Sequence, residues 1–366
     1  MNTTIIYRSP VRGGDVRELA KLIADADCIV SCEPDFAAGD WDAFIEEHVR
    51  FGTEFFAHLD LNFTARISEF TKDEPKTELQ KQTAAVMCLA ICAHMKVNPT
   101  FASNEYLFSG SFDPEKRLAY FYFINNTHPQ ILANLALGRI HSISSGELPP
   151  TNQFGAPPKR TRLFGLVHLA LLKLMELHTS ESSQTLSKPE RGAARIAALL
   201  KWMHHDFLIV GSVMTFAHEL WGSNSVKSIV TSPNSTDAVK LLESVENAAW
   251  DLCLAENWAD WEGKRLPNDP MNMIFTHDRA LRRIACSLLS APGTEDVDRP
   301  YLESLKTMWP ESIAKELFQC QRRLESDLDN PSRRYPNASD KDKYYEHIKD
   351  ALIRTIKANC DSKHKL

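Results

Sequence analysis

Apolar positions recur along this chain at two spacings. The helical one is the commoner. Val16, Leu19, Ala20 and Ile23 share a face over Asp15–Ala24, where Asp15 and Glu18 have capping-box spacing. Asp40 is placed to cap a helix running to Phe51, and Gly52 to stop it. Ala84, Ala85, Cys88, Leu89 and Cys92 predict a buried helix over Leu79–Met95. Further helices are predicted over Pro129–Leu137, over Leu163–Leu177 and, after the start signal of Ser187, Pro189 and Glu190, onward to Trp221 as one helix or two. Asp237 opens another, with a buried stripe of Leu241, Val245, Ala248, Leu252 and Ala255 and a polar stripe of Glu243, Asn247 and Asp251 beside it. Arg279–Leu289 reads as a helix, and the chain from Arg299 is helical and charged, with a loop at Asn330–Ala338.

The second spacing is that of strands. Phe55–Leu59 and Met271–Thr276 are short runs, apolar at nearly every position, as in strands buried on both faces. Lys96–Ala102 reads as extended because Pro99 restricts Asn98. Thr3–Tyr7 is β-branched enough for a strand, and Ala119–Ile124 is strand-like but open to a helical reading. Asn62–Phe70 reads as a loop turning into a helix, and Cys28–Ser31 is too short to assign. Ser142–Thr161, rich in Ser, Gly and Pro, is the best internal linker.

Composition narrows the class. The 366 residues suffice for one large domain or two ordinary ones, and 43% hydrophobic with 25% charged residues is the balance of a globular protein. A net charge of -6 argues against nucleic-acid binding through bulk positive charge, though not against a local basic groove. The first ten residues hold no signal-peptide core, and Phe207–Phe216, the most apolar stretch near mid-chain, is too short to span a bilayer. The expectation is a cytosolic chain that does not enter a membrane. The eight Cys lack zinc-knuckle spacing and read as reduced, mostly buried residues.

The candidate chemistry is acidic. Asp60 and Asp278 each close a buried strand, Glu105 follows an extended segment, and Asp251 lies on the helix before Met271. Ligands of parallel α/β sheets bind outside the carboxyl ends of the strands, so acids at several ends converge. Carboxylates gathered there repel one another, and a Mg²⁺ or Mn²⁺ ion relieves the repulsion while presenting a water to a phosphodiester. Asn62 and Thr276 are short polar residues suited to supporting contacts, and Glu243 and Glu246 compete with Asp251 for the third place. Arg279, Arg282 and Arg283, directly after Asp278, are candidates for substrate phosphate, as is the cluster of Lys159, Arg160 and Arg162. An ordinary structural account exists for each acid: an N-cap for Asp60 and Asp278, a first-turn Glu for Glu105, a solvated helix face for Asp251.

LDLNF at 59–63, NPTFASNEY at 98–106, NAAWDLCL at 247–254 and FTHDRALR at 275–282 resemble, in order, the motifs of PIN-domain nucleases. The resemblance implies an α/β fold: a small parallel sheet flanked by helices, split into 1–110 and 236–298. A large mainly helical insertion fills 111–235, and a helical C-terminal extension follows from 299 to 366. It implies a Mg²⁺- or Mn²⁺-dependent endoribonuclease acting on single-stranded RNA. Asp60, Glu105, Asp251 and Asp278 would be its metal ligands and catalytic acids, with Asn62 and Thr276 in support. A toxin or phage-defence effector, as a homo-oligomer or held by a regulatory protein, fits that picture. The chain departs from the family in its size and in Leu61, which stands where a small polar residue is usual.

Two other readings compete. One is a non-catalytic helical interaction protein whose acids are caps. The other rests on Arg162 and His168, whose spacing resembles the motif of helical HEPN ribonucleases and implies a metal-independent cut. His58, His204, His205 and His218 read as structural or surface residues, since His218-Glu219 lacks the second His of a zinc motif.

Overall fold

The structure is a computed structural model describing residues 9–109, 114–144, 161–180, 186–222, 229–289, 298–326 and 341–363. In chain order its elements are α1 (Gly13–Ala26), β1 (Ile29–Val30), α2 (Pro34–Ala37), α3 (Trp41–Glu46) with a π-helical turn Glu47–Phe51, β2 (Phe55–Leu59), α4 (Leu61–Ser68), α5 (Glu78–Cys92), β3 (Lys96–Asn98), α6 (Thr100–Ser109), α7 (Pro114–Asn125) and α8 (Pro129–Ala136). They continue as α9 (Arg162–Thr179), α10 (Lys188–Asp206), α11 (Gly211–Trp221), α12 (Ala238–Gly263), β4 (Met271–Phe275), α13 (Arg279–Leu289), α14 (Asp298–Met308), α15 (Glu311–Glu325) and α16 (Lys341–Lys363). The fold is mostly helical, with one small four-stranded mixed sheet and a helical C-terminal part. It divides into two bodies, Met1–Lys159 with Asn257–Arg282, and Arg160–Glu256 with Arg283–Leu366.

The first body carries the sheet, in the order β1-β4-β2-β3. β2 runs parallel to both neighbours, with Leu59 opposite Phe275, while β1 pairs antiparallel with β4. The all-parallel sheet expected from the sequence is therefore corrected to a mixed one. The reversal is local: Asp27, at φ 48, turns the chain out of α1 into two paired residues. Phe55 and Ala57 point to the face where Phe36 and Phe44 pack edge-on against the Phe55 ring, at 5.5 and 5.4 Å. α5 is buried nearly all round and starts from a reciprocal Thr77–Gln80 capping box.

Four local expectations need correction. Asp15 does not cap α1, where Arg12 holds the cap position without a side-chain bond. The Asp15 carboxylate instead accepts from both terminal nitrogens of the Arg139 guanidinium at 2.8 Å, which with Gln130 holds its pKa down to about 2. No loop precedes α4, because Asp60 caps it and the helix begins at Leu61. β3 stops at Asn98 rather than extending to Ala102. The Asn98 carboxamide accepts the Thr100 amide at 2.9 Å, and Pro99 leads straight into α6. Ala119–Ile124 is helical and lies within α7, where Phe121 and Ile124 are buried side by side. The expected break after Phe51 is present, with Gly52 in the left-handed region at φ 72.

The second body is helical. α9 packs on α10, α11 and α16, and α10 on α11 and α15. Gly192 permits the close approach of α10, since a Cβ there would meet the Trp221 carbonyl at 2.5 Å and the Trp309 ring at 2.9 Å. α10 starts from a Ser187–Glu190 capping box with Pro189 in its first turn. Glu256 accepts the Gly211 and Ser212 amides at 3.3 and 2.6 Å, capping α11 from another helix. Among the described residues no helix is long and apolar enough to cross a membrane. All eight Cys are free, and Cys28, Cys88, Cys92, Cys253 and Cys360 are buried. Thr3–Tyr7, most of the Ser142–Thr161 linker with Lys159 and Arg160, and the Asn330–Ala338 loop lie outside the described residues.

Candidate metal centre

The parallel pairing of β2 with β4 fixes the centre. Because Leu59 is opposite Phe275, the next residues of both strands leave the sheet side by side, and the Asp60 amide donates to the Phe275 carbonyl at 3.2 Å. Asp60 is 2% exposed and Thr276 1%. The Thr276 hydroxyl donates to Asp60 Oδ2 at 2.7 Å, while Asp60 Oδ1 accepts the Asn62 amide at 3.3 Å. Asp60 is thus both the cap of α4 and a buried acid at the carboxyl end of the central strand.

Side chains alternate along a strand, so Phe56, His58 and Asp60 share one sheet face. His58 stacks on Trp261 at 4.4 Å, and Phe101 of α6 packs against both rings, at 6.2 and 6.1 Å. Glu105 stands one helical turn beyond Phe101, so this aromatic packing carries it up to the Asp60 end of the strand. α12 is fastened to the same face by Trp258, whose indole donates to the Asn272 carbonyl at 2.9 Å. Glu262 adds to this by accepting the Asn272 amide at 2.6 Å. Asp251 lies within two turns upstream on that continuous helix.

Carboxylate oxygens of Asp60, Glu105 and Asp251 come within 4.8 Å of one another. Burial pushes the Asp60 carboxyl up to about 6, with the nearby Asp278 charge adding to the rise, against the lowering effect of Thr276, the Asn62 amide and Arg66. Burial and the Asp60 charge push Glu105 up to about 9. No hydrogen-bond donor reaches the Glu105 carboxylate among the described residues, and only 9% of the residue is exposed. Two buried acids that resist ionising together are the setting in which a cation is favoured.

The donor set fits a hard divalent ion. It is all carboxylate oxygen, with no thiolate or imidazole in the group. Oxygens on opposite sides of one Mg²⁺ lie about 4.2 Å apart, twice the bond length, so the observed spacing admits one such ion after small side-chain adjustments.

Asp278 stands outside this group of three. Its Oδ1 accepts the Ala280 and Leu281 amides at 2.7 and 3.2 Å, capping α13, and its own amide donates to Thr276 Oγ1 at 2.9 Å. Thr276 therefore ties the two acids together. Glu243 and Glu246 are not in the group. Asn62 is exposed, and its backbone amide rather than its side chain serves Asp60.

The arginines after Asp278 have separate fates. Arg282 pairs with Asp27 and donates to the Asp27 carbonyl at 2.6 Å. Arg283 grips Glu219 with two nitrogens at 2.5 and 2.6 Å. These two are paired with carboxylates, whereas Arg279 is exposed. Arg162 is exposed on α9 while His168 is 9% exposed and stacked on Phe164 at 5.6 Å. Six residues apart, the two are about 120° apart around the helix, so they share no cleft on it.

Two groups near the acids carry no motif signal. His277 stacks on Phe63 at 5.4 Å and meets the Thr83 hydroxyl at 2.9 Å. Burial and the Arg66 charge lower its pKa to about 4, so it is neutral at pH 7. Arg66 follows Asn62 by one turn of α4 and donates to the Asn62 carbonyl at 2.5 Å. Its spacing from Asn62 is the only trace it leaves in the sequence.

No protein-family model, curated protein or solved structure matches the chain.

Proposed function

We propose that the acidic cluster at the carboxyl end of β2 is a PIN-like nuclease centre that hydrolyses phosphodiester bonds, with single-stranded RNA as the substrate class. The observation that carries this reading is the convergence of Asp60, Glu105 and Asp251 at the carboxyl end of the central strand, two of them with strongly raised pKa values. Asp60, Glu105 and Asp251 would hold Mg²⁺ or Mn²⁺. When bound, the ion neutralises these carboxylates, polarises the phosphodiester and lowers the pKa of water.

The chain's own groups do the rest. Thr276 and the Asn62 amide fix both oxygens of Asp60, so the acid cannot rotate away from the site. Glu105, without a protein donor, is the carboxylate placed to accept the proton of the attacking water. As the water oxygen bonds to phosphorus, the bond from phosphorus to the leaving oxygen breaks, and that oxygen takes a proton from solvent. Asp278 caps α13 and adds negative charge beside Asp60.

The direct test is Mn²⁺-dependent cleavage of single-stranded RNA by wild type, Asp60→Ala and Glu105→Gln. Loss of cleavage in both variants, with the fold retained, is the expected result. Equal activity in wild type and Asp60→Ala would remove the site assignment. One observation favours the rival reading of a non-catalytic helical protein: Asp60 and Asp278 are both genuine helix caps. That reading requires no Mn²⁺ binding by the wild type.

A further inference from the structure

Arg66 is the half-buried cation of this region that has no structural duty to match its charge. It sits on α4 one turn beyond Asn62 and two residues short of the helix end. Among the described residues its one hydrogen bond goes to the Asn62 carbonyl, a contact that uses one of five guanidinium donors. It forms no ion pair among the described residues, whereas Arg139, Arg265, Arg282 and Arg283 each pair with a carboxylate. Three groups from three separate segments feel its charge: Asp60 after β2, His277 after β4, and Cys28 before β1. The Asn62 carbonyl it meets belongs to the residue whose amide donates to Asp60 Oδ1 at 3.3 Å, so the guanidinium lies at the carboxyl edge of the sheet, by Asp60. Asn62, on the same helix face, is exposed. A partly desolvated arginine with open donors, beside an acidic centre and not bridged to it, is suited to a planar, doubly accepting anion.

We propose that Arg66 binds a backbone phosphate of the substrate strand, next to the one being cut, and so sets the register of the strand over the three carboxylates. The assignment rests on the nuclease reading above and deepens it, because it names the group that recognises the polyanion. A short negatively charged ligand attracted only by the cation centre would not need it. A strand laid across the sheet edge would meet Arg66 as well as the acids.

The experiment compares full-length wild type, Arg66→Gln and Arg66→Lys in two binding measurements. The first is fluorescence anisotropy with a labelled single-stranded RNA oligonucleotide in excess chelator, between about 50 and 200 mM salt. Arg66→Gln is expected to bind about tenfold more weakly, with a salt slope shallower by about one. Arg66→Lys is expected to keep the slope but recover only part of the affinity, since a lysine is a point charge without the fork. The second is calorimetric titration with Mn²⁺. Arg66→Gln is expected to bind Mn²⁺ as tightly as wild type or more so, because a positive charge beside the carboxylates has gone.

Unchanged RNA affinity and slope in Arg66→Gln overturns the assignment alone. Parallel loss of RNA and Mn²⁺ binding in both variants shows a structural counter-charge and overturns it too. A wild type that binds Mn²⁺ but no RNA strand overturns the nuclease reading, and the phosphate role with it.

Discussion

The Thr276 hydroxyl donates to Asp60 Oδ2 at 2.7 Å, and Thr276 Oγ1 in turn accepts the Asp278 amide at 2.9 Å. One side chain thus orients an acid of the candidate centre and the turn into the next helix. Thr276→Val removes the donor from a carboxylate that is 2% exposed. It should lower stability by about 1–3 kcal/mol in urea unfolding, with Thr276→Ser close to wild type. If Val and Ser behave alike, the hydroxyl is not what holds Asp60.

The metal-free protein should lose stability as pH rises. Asp60 and Glu105 have folded pKa values of about 6 and about 9, above their ordinary 3.8 and 4.5. Between the unfolded and folded values the native state binds more protons than the unfolded one, so stability falls with increasing pH. Buried His277, with its pKa lowered to about 4, opposes this trend up to about pH 6.5, so the melting temperature in chelator should drop from pH 7 towards pH 9, and Glu105→Gln should flatten that slope. A melting temperature that climbs over this range would contradict the burial of the pair.

Mn²⁺ should reverse that loss. An ion that binds only the native state stabilises by about 2.7 kcal/mol at a hundred times its Kd. Thermal melts with added Mn²⁺ should show the gain in wild type and its abolition in Asp60→Asn. Asp251→Asn should show a reduced gain.

Asp278 separates from the three by its job. Asp278→Ala removes the cap of α13 and should cost about 1 kcal/mol, which Asp278→Ser largely restores. Its effect on Mn²⁺ affinity should be far smaller than that of Asp60→Asn. Equal losses of affinity would place Asp278 among the ligands after all.

Arg283→Ala should act on stability, not on nucleic-acid binding. It leaves the Glu219 carboxylate, whose side chain is 10% exposed, without its bidentate partner. A loss of about 1–3 kcal/mol is expected in urea unfolding, with oligonucleotide affinity unchanged. Weaker binding without loss of stability would return Arg283 to the phosphate-binding set.

The parts of this fold that the sequence makes legible are those whose signal is local. Phe55–Leu59 and Met271–Phe275 are apolar at nearly every position, and the Ser187–Glu190 start is a chemical motif three residues long. β1 was illegible because two paired residues carry no period. α7 was ambiguous because Tyr, Phe and Ile favour strands, and only tertiary packing of Phe121 and Ile124 shows the helical stripe. Asp60, Glu105 and Asp251 could be chosen by their places at strand ends and on one helix stripe. That Asp278 stands apart depends on which amides its oxygen meets, which no spacing encodes. Arg66 is silent in the sequence for a related reason: its distinction is that it has no ion-pair partner among the described residues.

The Thr83 hydroxyl donates its one proton to the Leu79 carbonyl at 2.7 Å, so its contact with His277 must run the other way. His277 Nε2 therefore carries the ring proton, and Nδ1 holds the lone pair. The ring has a fixed polarity: its donor is committed to α5, and anything it presents to a ligand is an acceptor. A residue that would otherwise count as a second positive charge beside Arg66 is, at neutral pH, a base of one set tautomer.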